Sequence, residues 1–334
     1  MSLQEPFSFS KPAAGIVDCM RARRELRTDS TCSISPVKQV GSHVTAFAPG
    51  DKVILSFASC HTCRACLSGH APYCKYLQEL NFSSKRLAPT PTSPTSTASS
   101  PPTTSTAPCT DSTGAHLNNF FFGQSSLARL VLAHENGAIK LDPSVSKDEL
   151  IKFASLGCGI QTGAGAVLNI IKPGPSSTIA IIGAGAVGLA ASFMASLYSP
   201  HRLILIDNSA TKLANLPEKH GATHLIDSSN LKEGELVEKL MELTDGEGVE
   251  YVIDAVGSPQ VLRDGHRAMA KGGMIVTLGG IVKDCGIIIN EHLVKGGTWR
   301  GTHQGDSVPR MVSLASFFLL ADATNTISPS SFQK

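Results

Sequence analysis

A chain of 334 residues is too long for one ordinary hydrophobic core and predicts two domains. With 29 basic against 27 acidic residues, a formal charge of +2 and no long block of Lys or Arg, it offers no electrostatic case for binding nucleic acid. It opens without a charged, apolar, small-residue leader and carries an odd total of nine cysteines, so the expected setting is a reducing compartment, the cytoplasm.

In chain order, the first clear strand is Lys52–Phe57 (KVILSF). It runs into SCHTCRACLSGHAPYCK, residues 59–75, whose cysteines Cys60, Cys63, Cys66 and Cys74 are spaced C-x2-C-x2-C-x7-C. Four explanations compete. Disulfides suit neither crowded C-x2-C pairs nor a reducing setting. An iron–sulfur cluster uses thiolates at similar spacings. Structural zinc takes four thiolates tetrahedrally at about 2.3 Å and can hold a loop-rich lobe that lacks its own core. The remaining alternative is buried cysteines with no ligand. Gly69 and Pro72 suit a metal-held lobe, and zinc is the favoured reading.

Leu87–Gly114 (LAPTPTSPTSTASSPPTTSTAPCTDSTG) is almost all Pro, Ser, Thr and Ala, with no apolar periodicity to bury, which predicts a disordered or extended loop. Strand-like pieces lie on both sides of it, Lys52–Phe57 before and Leu127–His134 and Ala138–Leu141 after. It is therefore expected to be an insertion within a β-rich first domain rather than a linker. That domain is expected to span residues 1–155, with the cysteine lobe at 59–76 and the insertion at 87–114.

From residue 156 onward the rhythm changes. Strands at Thr178–Ile182, Leu203–Asp207, Val249–Ala255 and Met274–Leu278 alternate with helical stretches such as Ala186–Leu197 and Lys232–Leu243. Such alternation predicts an α/β domain, a doubly wound parallel sheet with helices on both faces, over residues 156–334. Ile179–Tyr198 is uncharged and about long enough to cross a bilayer. Its glycines are better explained by a buried strand, a tight turn and a helix, so no membrane span is expected.

Gly183, Gly185 and Gly188 in IIGAGAVGLAA stand in G-x-G-x-x-G register, after an apolar strand and at the start of a helix. Glycines at such spacing often serve packing alone, but here an acidic residue, Asp207, closes the next strand. Gly183 then permits the turn, Gly185 lets a pyrophosphate approach the backbone, and Gly188 lets helix and strand touch. Asp207 would accept hydrogen bonds from the adenosine ribose and repel a 2′-phosphate, which favours NAD over NADP.

The cysteine spacing, VTAFAPGDKV before it, LGCGIQTGAGAVLN ahead of the nucleotide motif, and GAGAVG followed by IDNS together resemble the zinc-dependent alcohol dehydrogenases of the medium-chain dehydrogenase/reductase family. GCGIQTGAGA and GTHQGDSVP look most like its aryl- or benzyl-alcohol branch. The resemblance covers roughly Val37–Arg86 and Phe120 to about Val312. It implies a GroES-like first domain, a Rossmann second domain, NAD, and a small-molecule alcohol or aldehyde substrate; a homo-oligomer is compatible with it. Cys60, Cys63, Cys66 and Cys74 then match the structural zinc ligands. Cys158 matches the third protein ligand of the catalytic zinc, at the seam between the domains. Lys212 matches a lysine on the adenosine ribose, and Val256, Gly257, Leu278 and Gly279 match strand ends that receive the nicotinamide half. In that family zinc lowers the pKa of the bound alcohol, whose alkoxide then passes a hydride to the nicotinamide ring.

The chain departs from the family at the catalytic zinc, which needs three protein ligands and an open fourth position. The family's G-x-C-H-x-D and G-H-E segments are absent. One register places Thr31, the other Lys11, where the histidine is expected. Cys19 and Cys32 are the substitute ligands to consider, and CMRARRELRTDSTCSISP, residues 19–36, reads as an insertion unrelated to the family. The C-terminal stretch ADATNTISPSSFQK is shorter than the family's return to its first domain, so that domain is expected to be the less stable one. The alternatives are a non-catalytic nucleotide-binding relative and a zinc-independent quinone-type reductase, against which the retained cysteine lobe and Cys158 argue.

Overall fold

A computed structural model of the chain describes residues 25–29, 34–42, 44–83, 113, 121–124, 130–146, 154–216, 220–280 and 284–308. These fall into two compact units, one drawn from Met1–Cys60 with Tyr76–Ala154 and the other from His61–Lys75 with Ser155–Lys334. Residues 61–75 of the lobe, expected with the first domain, are grouped with the second, and within that unit Tyr73 hydrogen-bonds to Thr302 and Asp306.

The first unit holds a five-stranded sheet built from β1 (Glu25–Asp29), β2 (Ile34–Val40), β3 (Lys52–Leu55), β4 (Leu130–His134) and β5 (Ala138–Lys140), in the order β4-β1-β2-β3-β5. Every neighbouring pair is antiparallel. Its core gathers Val37, Phe47, Val53, Leu55, Val131 and Ala133. Strands were expected at β3, β4 and β5 and are found there. Residues 19–36, read as an unrelated insertion, instead carry β1 and the start of β2, and β1 lies between β2 and β4 in the sheet. The polar run ELRTD hides this strand, since its pairing rests on backbone bonds to β2 and β4 rather than on an apolar pattern. The Pro- and Thr-rich segment Leu87–Gly114 lies outside the described residues apart from Thr113, as do Cys19, Cys32, Lys11 and Thr31.

The second unit is a six-stranded parallel sheet of β6 (Thr178–Ile182), β7 (Arg202–Asp207), β8 (His224–Asp227), β9 (Val249–Asp254), β10 (Met269–Thr277) and β11 (Thr298–Gly301), in the order β11-β10-β9-β6-β7-β8. Helices Ala186–Ser196, Glu235–Leu243, Pro259–Ala268 and Ile289–Lys295 make crossovers between strands. The doubly wound sheet expected from the sequence is therefore present. Alternate residues of each strand enter opposite layers: Ile179, Ile181, Leu203 and Leu205 pack on one side, Ala180, Ile182, Ile204 and Ile206 on the other. Burial on both faces explains why β6 and β7 read as unbroken apolar runs. Each fully buried Ile or Leu contributes roughly 1.5–3 kcal/mol.

Two boundaries differ from expectation. β10 begins at Met269 rather than Met274, with a register irregularity before Met274 that absorbs Gly272 and Gly273. The helix expected from Lys232 starts at Glu235, whose carboxylate accepts the Lys232 N–H at 2.9 Å. Residues 309–334 lie outside the described residues. Among the described residues no helix is long and apolar enough to cross a membrane, and Ile179–Tyr198 forms the expected strand, turn and helix.

Candidate functional site

In the sheet, β6 leads to β7 on one side, while β9 and β10 lie on its other side, so the strand order reverses between β6 and β9. Ligands of open α/β sheets bind beyond the carboxyl ends of the strands at such a point. The structure brings Gly183, Asp207, Val256 and Leu278 to the carboxyl ends of β6, β7, β9 and β10.

The loop after β6 is shaped by its glycines. Gly183 has φ +106°, a conformation L side chains rarely adopt, and its N–H donates to the Ile206 carbonyl at 2.7 Å. A Cβ on Gly188 would lie 1.7 Å from the Gly183 carbonyl oxygen, so only glycine lets the helix sit this close to the strand. Around Gly185, at the helix N-cap, a Cβ would meet nothing within 4 Å, which leaves the backbone open to an approaching anion.

Asp207 is nearly buried, at 6 % exposure. One carboxylate oxygen accepts the Ala184 N–H at 2.8 Å and the other accepts the Ser209 N–H at 2.9 Å, which ties β7 to the glycine loop. Lys212 reaches both oxygens at 3.4 Å, with its side chain half exposed. Sequence reasoning identified both residues but not the bond that makes Asp207 a brace for the loop.

Sequence reasoning missed Asp254, the last residue of β9. It is fully buried, its Oδ1 accepts the N–H groups of Val256 and Gly257 at 2.9 and 3.0 Å, and its Oδ2 has no hydrogen-bond partner. Burial pushes its carboxyl pKa above the ordinary value, against the two N–H bonds that favour the ionised form. A raised folded-state pKa gives stability that is fully present below the unfolded-state pKa and is lost as pH rises through the folded value. Asp254→Asn, which cannot ionise, should therefore gain on the wild type as pH rises above about 4. Thermal melts at several pH values check this; a stability difference that does not change between pH 4 and 8 would contradict it.

The four lobe cysteines lie together, with all four sulfurs within 4.8 Å of one another and Cys63 and Cys66 Sγ 3.5 Å apart. Tetrahedral thiolates around zinc stand about 3.8 Å apart for a Zn–S length of about 2.3 Å, so this donor set suits zinc. The Lys75 N–H donates to Cys63 Sγ at 3.4 Å. Few lobe side chains are buried, and the helix Arg64–Leu67 buries none.

Cys158 stands apart. It is exposed, at the start of helix Gly159–Gly165, and among the described residues the four lobe cysteines form the one His, Cys, Asp or Glu group able to hold a metal. Its neighbour is an amide: Gln304 Nε2 lies 3.9 Å from Cys158 Sγ, while Gln304 Oε1 accepts from Gln161 Nε2 at 2.6 Å. Gln304 sits in a left-handed turn, φ +57°, fastened by Asp306, which accepts from Thr302, Tyr73 and Arg300. Burial alone would raise the Asp306 carboxyl, but the Thr302 and Tyr73 hydroxyls and the Arg300 guanidinium hold it below the usual carboxylate range. No local signal in the sequence announces this bridge from lobe to turn, since its partners are more than 220 residues apart.

Residues 33–90 match the alcohol dehydrogenase GroES-like domain and residues 186–317 the zinc-binding dehydrogenase domain. A probable alcohol dehydrogenase of a Pseudomonas species is 32% identical over 73% of this chain and 70% of its own length. The chain belongs to the zinc-dependent alcohol dehydrogenase family. Geraniol dehydrogenase of Castellaniella defragrans is likewise 32% identical, over 82% of this chain and 68% of that protein. The crystal structure of benzyl alcohol dehydrogenase from Acinetobacter calcoaceticus superposes with a TM-score of 0.75 at 28% identity, covering 90% of this chain and 83% of that one. These likenesses agree with the resemblance and the fold drawn from the sequence, and make the chain an oxidoreductase by family.

Proposed function

We propose that this chain is an NAD-linked member of the family that acts on small alcohols and aldehydes of the aromatic or other primary class. In this reading its nucleotide edge and structural zinc lobe are intact and its catalytic zinc site is damaged. The observation that carries the NAD assignment is the nearly buried Asp207 carboxylate at the carboxyl end of β7, braced to the glycine loop. Gly183, Gly185 and Gly188 would pass the pyrophosphate, Lys212 would join Asp207 at the ribose, and Val256, Gly257, Leu278 and Gly279 would face the nicotinamide half. The substrate class is supported by the alcohol and geraniol dehydrogenases it resembles and by the benzyl alcohol enzyme that shares its fold.

The damaged site rests on the donors. Zinc catalysis needs three protein ligands, and among the described residues Cys158 belongs to no group of three His, Cys, Asp or Glu able to hold a metal. Zinc bound there would act as a Lewis acid on the alcohol oxygen; without it an alcohol keeps its proton at neutral pH and hydride transfer has no alkoxide to start from. Benzyl alcohol with NAD should therefore give no NADH above background while NADH itself still binds. NADH formation that Cys158→Ala abolishes would restore the active-enzyme reading.

Cytoplasmic placement is supported by the odd total of nine cysteines and the crowded C-x2-C spacing, which suit metal binding better than disulfides. A homo-oligomer is supported by the open edge strand β11, with Trp299 exposed on it and with exposed Ile289, Leu293 and Val294 on the neighbouring helix.

A further inference from the structure

Four backbone N–H groups converge on Asp254. Its carboxylate oxygen Oδ1 takes those of Val256 and Gly257 at 2.9 and 3.0 Å, and its own carbonyl takes those of Leu278 and Gly279 at 2.9 and 3.1 Å. We propose that Asp254 is a positioning residue for the nicotinamide half of the dinucleotide, fastening the loops after β9 and β10 to one another at the sheet edge. The inference rests on the NAD reading above and extends it to a residue that touches no ligand.

Three observations support the role. The two loops are in direct backbone contact: a Cβ on Gly279 would lie 2.2 Å from the Gly257 nitrogen, and one on Gly257 would lie 2.7 Å from the Gly280 carbonyl oxygen. Their spacing is therefore set by the bonds that hold them rather than by side chains between them. The loop after β9 also touches the glycine turn, where a Cβ on Gly183 would meet Val256 Cγ2 at 3.0 Å, so a shift at Val256 would reach the cofactor's path. Finally, among the described residues Asp254 makes no ion pair that could account for a buried carboxyl, and its Oδ2 has no hydrogen-bond partner. Burying such a group is costly unless its hydrogen bonds offset the cost, and the bonds the carboxylate makes are those that fix Val256 and Gly257 in the loop after β9, against which the loop after β10 packs.

The test titrates the full chain with NADH and with AMP, which carries the adenosine half alone. Asp254→Ala should weaken NADH by about tenfold or more, the loss expected when two N–H groups give up their acceptor, and leave AMP affinity within about twofold. Asp254→Asn keeps a carbonyl oxygen for the same N–H groups and should bind NADH nearly as well as the wild type. If the alanine variant does not fold, Asp254→Val, which fills more of the space and likewise has no side-chain acceptor, is held to the same outcomes as that variant. Unchanged NADH affinity in the variants lacking the acceptor, or parallel loss of NADH and AMP, overturns the assignment. Failure of the wild type to bind AMP or NADH overturns the NAD reading itself, and this inference with it.

Discussion

NADH should bind this chain more tightly than NADPH by roughly thirtyfold, the ratio for a like-charge penalty on the order of 2 kcal/mol. The reason is the position of Asp207. Its carboxylate is held by the Ala184 and Ser209 N–H groups and cannot swing away from a 2′-phosphate. Lys212, at 3.4 Å and half exposed, softens the repulsion without removing it. Asp207→Ala should erase the preference and weaken NADH as well, because the loop N–H of Ala184 loses its acceptor. Asp207→Asn keeps an acceptor and drops the charge, so it should relax the choice between cofactors with less loss of affinity. Fluorescence titration with both nucleotides measures this, and equal affinity of the wild type for the two would remove the ribose role from Asp207.

Cys63→Ser should release the lobe's metal and expose residues 59–76 to proteases while NADH binding persists. Structural zinc contributes about 10–16 kcal/mol of apparent binding energy in small peptides, and the lobe's helix Arg64–Leu67 buries no side chain. One further anchor is the Tyr73 hydroxyl on Asp306 and Thr302. Loss of zinc should therefore loosen the lobe first, ahead of the nucleotide edge, whose strands are covered on both faces by apolar layers. Limited proteolysis followed by mass analysis locates the cut. A variant that keeps both its zinc and its resistance would show that the four thiols are not a metal site.

The nucleotide edge was legible because its requirements are local. A buried strand, glycines at fixed offsets and an acid at the end of the next strand are all set within 30 residues, and β6 has the bounds expected of it. The cysteine lobe was legible for the same reason, four thiols within 15 residues. Asp254 was not, because an acid at the end of an apolar strand reads as its polar cap; its carboxylate holds Val256 and Gly257, and what gives that loop its importance is its contact with a loop more than 20 residues away. The link from Tyr73 to Asp306, and through its turn to Gln304 and Cys158, was hidden by sequence distance. β1 was hidden by composition, since ELRTD lacks the alternation that marks a half-buried strand.

The central claim is that the zinc of the cysteine lobe is retained and that of Cys158 is lost, and metal analysis of the wild type beside Cys63→Ser and Cys158→Ala tests it most directly. One thiolate supplies about a third of the protein coordination a catalytic zinc requires. The account predicts about one zinc per chain, removed by Cys63→Ser and untouched by Cys158→Ala. Two zincs per chain, one of them lost in Cys158→Ala, would contradict it and show that Cys19, Cys32 or another residue completes the catalytic site.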